Sequence, residues 1–118
     1  RGEPGAELTF RFKGSRALIY DLLGPDGGRL QVTIDGQVSN PQRIDGFCCY
    51  HRLALLPLCN SLDPKKVHTV HIKLLPDQLD KKKILFNWNH QDLADHPEKY
   101  KPILWYAGTI FLAGEPVR

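Results

Sequence analysis

A chain of 118 residues, 42% apolar and 25% charged, matches one folded domain with a single core and excludes a disordered, collagen-like or coiled-coil protein. No apolar run approaches the roughly 20 residues that cross a bilayer, and the first residues lack the charged-then-apolar pattern of a secretion signal. The net charge of +3 is spread thinly, and its clusters at Asp80-Lys81-Lys82-Lys83 and Pro64-Lys65-Lys66 flank turn signals, so they read as solvated turns and not as a nucleic-acid surface.

Leu8, Phe10 and Phe12 alternate with Thr9, Arg11 and Lys13, the period of a strand with one wet face, which Gly14-Ser15 ends. Ala17 to Leu23 is apolar on both parities except at Asp21, so it predicts a strand covered on both sides. Gly24-Pro25-Asp26-Gly27-Gly28 is a turn, and Leu30, Val32 and Ile34 then alternate with polar residues as the partner strand of a hairpin. Asp35-Gly36 favours a tight turn, with Gln37-Val38-Ser39 as the return.

After Asn40-Pro41 comes Phe47-Cys48-Cys49-Tyr50-His51-Arg52-Leu53, which reads as one strand with polar groups on both faces: Cys48, Tyr50 and Arg52 on one, Cys49 and His51 on the other. Such a strand marks a binding surface, a domain contact or a buried polar network. Leu53 to Leu58, broken by Pro57, suits an edge strand or an exit from the sheet more than a central strand. Val67 to Leu75 is a clear strand, with Val70, Ile72 and Leu74 facing in. From about Asp77 to Pro102 no period is sustained, so a long excursion is expected, with one helical turn at Asp92-Leu93-Ala94-Asp95 before His96-Pro97. Trp105 to Leu112 closes the chain as a strand. The expected fold is all-β: an antiparallel sandwich of seven or eight strands over residues 1–118, with one long irregular loop and little helix.

No catalytic set stands out. Ser15 lacks the glycine spacing of a nucleophile elbow, and Asp95-His96 has neither nucleophile nor oxyanion donors beside it. His68 and His71 fall on opposite strand faces, Cys-Cys-Tyr-His lacks zinc spacing, and no Asp-x-Asp-x-Asp run occurs, so neither metal nor cofactor is expected. Asp26, Asp35, Asp77 and Asp80 read as turn residues. The three cysteines read as small buried hydrophobes, although Cys59 could pair with Cys48 or Cys49 if the chain returned it within about 7 Å. The positive binding signal is aromatic. Trp88 stands between Asn87 and Asn89, a flat ring beside amides that suits a pyranose, or equally a plug at the end of a sandwich.

Thr33-Ile34-Asp35-Gly36, Phe47 through Leu53, His68-Thr69-Val70, Pro76 through Lys83, and Trp105-Tyr106 before Ile110 through Gly114 occur in an order and spacing that resembles the β-sandwich accessory domain of bacterial two-domain hydrolases of the SGNH/GDSL superfamily. The resemblance implies a jelly-roll or galactose-binding-like sandwich that lies beside a catalytic domain of the same polypeptide, secreted or periplasmic, with carbohydrate as the substrate class. The Gly-Asp-Ser block of the esterase is absent, so no catalytic residue is carried over. The lack of any methionine is read as the mark of a piece of a longer polypeptide.

The expectation is therefore a non-catalytic accessory module with candidate ligand residues Tyr50, His51, Arg52, Asn87, Trp88 and Asn89. Arg52 would donate paired hydrogen bonds, Trp88 would stack, and His51 would donate or accept according to its tautomer. One alternative is a packing module that buries the polar strand against the catalytic domain. The other is a small enzyme centred on Asp95 and His96 or on Cys49 and His51, the latter sharing a strand face without a visible third partner.

Overall fold

The structure, a computed structural model, describes residues 2–118. Its frame is β1 (Glu7–Leu23), a 17-residue strand that pairs with three others. One edge of β1 carries β5 (Val67–Leu74) along Glu7 to Lys13 and then β4 (Arg52–Cys59) along Ala17 to Leu23. The other edge carries β6 (Tyr106–Val117) from Arg11 to Leu22. Beyond β5 lie β2 (Leu30–Ile34) and β3 (Gln37–Ser39), and every pairing is antiparallel. Helix is confined to short pieces between β5 and β6: α1 (Lys81–Ile84), α2 (His90–Asp95), and 3-10 turns at Asn87–Asn89 and Pro97–Lys99.

The two strands expected on either side of Gly14-Ser15 are one. Register breaks in the pairing with β6 between Gly14 and Arg16, and in the pairing with β4 between Ala17 and Leu18. An extra residue in a strand bends it and resets which side chains face inward. Accordingly the buried positions change from Phe12 to Ala17, Ile19 and Asp21, a switch of parity within a continuous ladder. Gly14 and Gly114 lie opposite each other there. A Cβ on Gly14 would overlap the Ala113 carbonyl, and one on Gly114, at φ 146°, would strike the carbonyl of Lys13.

The main core collects Phe12, Ile19, Leu30, Val32, Leu56, Val70, Ile72, Leu74 and Trp105. Each such side chain contributes about 1.5–3 kcal/mol on leaving water. A smaller cluster of Ile44, Cys48, Leu79, Leu85 and Tyr100 lies under the helical excursion.

The all-β, antiparallel, helix-poor class is as the sequence implied, while several details differ. Six strands form, and the ladder joins them into one open sheet with no separate second sheet among the described residues. β2 does not make a hairpin with β1: the turn after Leu23 carries the chain across to β5, against which Leu30 to Ile34 pairs. The Asp35-Gly36 turn is as expected, both residues at positive φ, 50° and 85°. Phe47 to Tyr50 is a turn and not a strand; strand structure starts only at Arg52. The cause is Asp45, whose carboxylate takes the Phe47 N–H at 3.0 Å while its carbonyl takes the Cys48 N–H at 3.1 Å, a local bonding pattern that competes with a ladder.

Candidate functional site

The Asp45 turn aims the residues of the Phe47–Leu53 stretch in separate directions. Arg52 swings back onto Asp45, with Nη2 at 2.5 Å from both carboxylate oxygens, and its guanidinium lies over the Phe47 ring, 5.5 Å from the centroid. Burial pushes the Asp45 carboxyl up, but hydrogen bonds from Arg52, Cys48 and the Phe47 N–H outweigh it and leave the group below its ordinary value. The Phe47 ring meets Phe86 edge-on at 4.6 Å, and Phe86 lies against Trp88 at 4.7 Å with the planes 34° apart. A surface ladder Arg52–Phe47–Phe86–Trp88 results, with Trp88 70% exposed at its end.

Two residues fix this ladder in place. Gly46 has no room for a Cβ, which would come within 2.6 Å of the Phe86 ring, so glycine lets the ring lie on the backbone. Asn89 donates from Nδ2 to the Gly46 carbonyl at 2.8 Å and accepts the Cys49 thiol on Oδ1 at 3.6 Å. The structure thus joins Arg52 to Trp88 and Asn89, a neighbouring pair far from it in sequence. Asn87 is exposed and lines a different cleft beside Lys82, Lys83 and His90. Tyr50 is exposed beside the turn.

His51 belongs to another cluster. Its Nε2 lies 2.9 Å from Asp26 Oδ1, its ring meets Tyr106 edge-on at 5.2 Å, and the Tyr106 hydroxyl donates to Asp26 Oδ2 at 2.7 Å. Gly24 leaves the space that the imidazole fills. Asp26, read as a turn residue, is in fact buried and anchors this cluster.

The Cys49–His51 pair is not assembled. The Cys49 thiol turns to Asn89 and the His51 ring to Asp26, because the chain between them is turn and not strand. All three thiols are free, and burial pushes those of Cys48 and Cys59 above the ordinary value, the opposite of an activated nucleophile. Among the described residues no group of three or more His, Cys, Asp or Glu side chains is placed to hold a metal ion.

Sequence reasoning missed the polar groups inside the protein. Asp21 was legible as the one charge in an apolar run, but its partners Arg43 and Trp105 carried no signal. Lys81, taken for part of a solvated cluster, is buried and donates to the carbonyls of Pro25, Tyr100 and Pro102. Phe86, the middle of the aromatic ladder, stood unremarked in the irregular segment. Comparisons of the chain with protein-family models, with curated proteins and with solved structures give no match.

Proposed function

We propose that this chain is a non-catalytic accessory module of an SGNH/GDSL-type hydrolase, secreted or periplasmic with its catalytic domain, and that its Phe47–Phe86–Trp88 surface is a stacking platform for carbohydrate. The observation that carries the reading is the exposed Trp88 ring, braced by Phe86 and Phe47 and flanked by the Arg52–Asp45 pair. The apolar face of a pyranose covers such a ring while its hydroxyls bond to a carboxylate, a guanidinium or an amide at the rim. Bracing matters because a ring already held in place loses little freedom on binding.

A jelly-roll-like sandwich is the finer fold we propose. Supporting it, β1 changes its inward parity at the break near Gly14, and one of its edges serves β5 and then β4. A strand that bends in this way can belong to one layer at its start and to the facing layer at its end.

Trp fluorescence titration and affinity electrophoresis with a panel of oligosaccharides test the platform. Saturable binding that disappears in Trp88→Ala and weakens in Arg52→Ala is expected. No binding at millimolar oligosaccharide, with the circular dichroism of the folded chain intact, would sink it.

A second reading, packing against the catalytic domain, is favoured by a different surface. On the outer face of the sheet Leu22 pairs with Leu53, Tyr20 with Leu55 and Leu18 with Phe111, a strip in which Leu53 is 72% exposed. The sequence predicted Ala17 to Leu23 to be covered on both sides, yet among the described residues Leu18, Tyr20 and Leu22 are only half-buried and belong to neither core cluster. An apolar strip of this kind is the mark of a contact surface.

A further inference from the structure

The excursion between β5 and β6 carries a second concave feature, next to the aromatic ladder. Two adjoining clefts of ≈ 380 and ≈ 450 Å³ share Lys82 and His90 in their walls; the first adds Asp80, Lys83, Leu85 and Asn87, the second Gln91, Leu93 and Ala94. Volumes of this size are in the range of small-ligand sites.

The carboxylates nearby are already engaged. Asp80 accepts the Lys83 N–H at 3.3 Å and stands 4.0 Å from Lys83 Nζ, Asp95 accepts from Gln91 Nε2 at 2.8 Å, and Asp92 is held by Lys99 Nζ at 2.7 Å and by the Tyr100 hydroxyl. Lys82 has no carboxylate partner among the described residues; the one carboxylate in the wall of the first cleft, Asp80, faces Lys83, so the first cleft holds two ammonium groups against one carboxylate and the second holds Lys82 with none. His90 Nε2 lies 3.1 Å from the Leu85 carbonyl, to which it can only donate, leaving Nδ1 as the ring's remaining polar atom. Gln91 spends its amide N–H on Asp95 and keeps its carbonyl oxygen as an acceptor.

We propose that these clefts take the carboxylate-bearing unit of an acidic oligosaccharide, a hexuronate, whose neighbouring unit stacks on Trp88. This rests on the platform reading of Trp88. Asn87, in the wall of the first cleft, precedes Trp88 in one 3-10 turn, while the Trp88 ring lies on Phe86 outside both clefts, so the two subsites are linked through that turn. Lys82 meets the carboxylate, with Lys83 beside it, and the Asn87 amide and Gln91 carbonyl are suited to hydroxyls, while Leu85 and Leu93 line the apolar part. A singly charged sugar fits this set better than a nucleic acid or a densely sulfated chain, which calls for a longer basic stripe with paired guanidinium contacts. No arginine lines either cleft.

The test titrates the chain with galacturonate oligomers, with neutral galactose oligomers of the same length, and with heparin fragments as the sulfated arm. Variants Lys82→Gln and Trp88→Ala are run alongside, both at exposed positions where the fold is not at stake. Galacturonate oligomers are expected to bind about tenfold more tightly than the neutral ones, and Lys82→Gln to erase that preference. Equal binding of acidic and neutral oligomers through Trp88 overturns the hexuronate inference and leaves the platform standing. Acid-selective binding lost in Lys82→Gln but untouched in Trp88→Ala upholds the cleft and removes the platform. Heparin bound more tightly than galacturonate overturns the hexuronate assignment in favour of general polyanion binding, and no binding by any saccharide overturns both proposals.

Discussion

Arg43 grips both oxygens of Asp21, Nε to Oδ2 and Nη2 to Oδ1 at 2.6 Å each, with the carboxylate shut away from solvent. Trp105 Nε1 donates to the same Oδ2 at 2.9 Å. One carboxylate on β1 therefore ties together the loop before the Asp45 turn and the residue that leads into the last strand. Its geometry is of the strong, two-point kind, and its burial makes each partner dependent on the others.

Removing the cation from this network leaves a buried charge uncompensated. Arg43→Met is expected to cost about 3–5 kcal/mol in urea unfolding, whereas the double variant Asp21→Leu with Arg43→Met recovers a large part of that loss. A single-variant loss below about 1 kcal/mol would show that water reaches Asp21.

His68 gives the fold a pH dependence on the neutral side. Its Nε2 lies 2.8 Å from the Asp63 carbonyl and its Nδ1 2.5 Å from Asp35 Oδ2, while its ring rests on Phe12 at 5.6 Å. Two acceptors require both nitrogens to donate, so the imidazolium is the fitting form, and the Asp63 carbonyl followed by the Asp35 carboxylate raise its pKa above 6.5. A raised value means that the folded chain holds the proton more tightly than the unfolded one. The stabilisation is complete below about pH 6.5 and is lost as pH climbs through the folded-state value. Melting temperature followed from pH 5.5 to 8.5 should fall more steeply for the native chain than for His68→Gln; parallel curves would refute the imidazolium.

Lys81 works in the opposite sense on the alkaline side. Burial pushes its pKa down from 10.5 to about 8. Between those values the unfolded chain binds more protons than the folded one, so the contribution of Lys81 to stability rises with pH across that window and is flat below it. Lys81→Met should abolish that rise. It should also cost about 1–3 kcal/mol at pH 7, because the carbonyls of Pro25 and Tyr100 lose a buried donor. Denaturation midpoints at pH 7, 8 and 9.5 for both chains check each half of the prediction.

The outer apolar strip predicts association. Sedimentation of the isolated chain should show concentration-dependent self-association, and Leu53→Lys combined with Phe111→Lys should abolish it with little change in melting temperature, since both side chains are exposed. A monomer at all concentrations with no dye-binding apolar surface would remove the contact-surface reading.

The periodic segments were legible because local physics decides them. Val70, Ile72 and Leu74 face the core where alternation put them, β4 is an edge strand, one of the two places Pro57 suited, and Asp35-Gly36 makes its tight turn. The Phe47–Leu53 stretch was misread because alternation there was coincidental: one carboxylate, Asp45, bends it into a turn. The same error assigned Cys49 and His51 to a shared face, and it placed His51 with Arg52 in one site when the two answer to different aspartates.

From its sequence alone, this chain declares an antiparallel β fold poor in helix, an irregular excursion before the last strand, and Trp88 and Arg52 as residues to watch. Apolar period and turn chemistry are properties of neighbours along the chain, and they suffice for that much. Tertiary structure alone decided that β1 is one bent strand, that Lys81 is buried, and that Phe47 and Phe86 bridge Arg52 to Trp88. Those outcomes depend on which distant groups desolvate each other, and a charge or a ring carries no mark in sequence of the partner that will meet it across the fold.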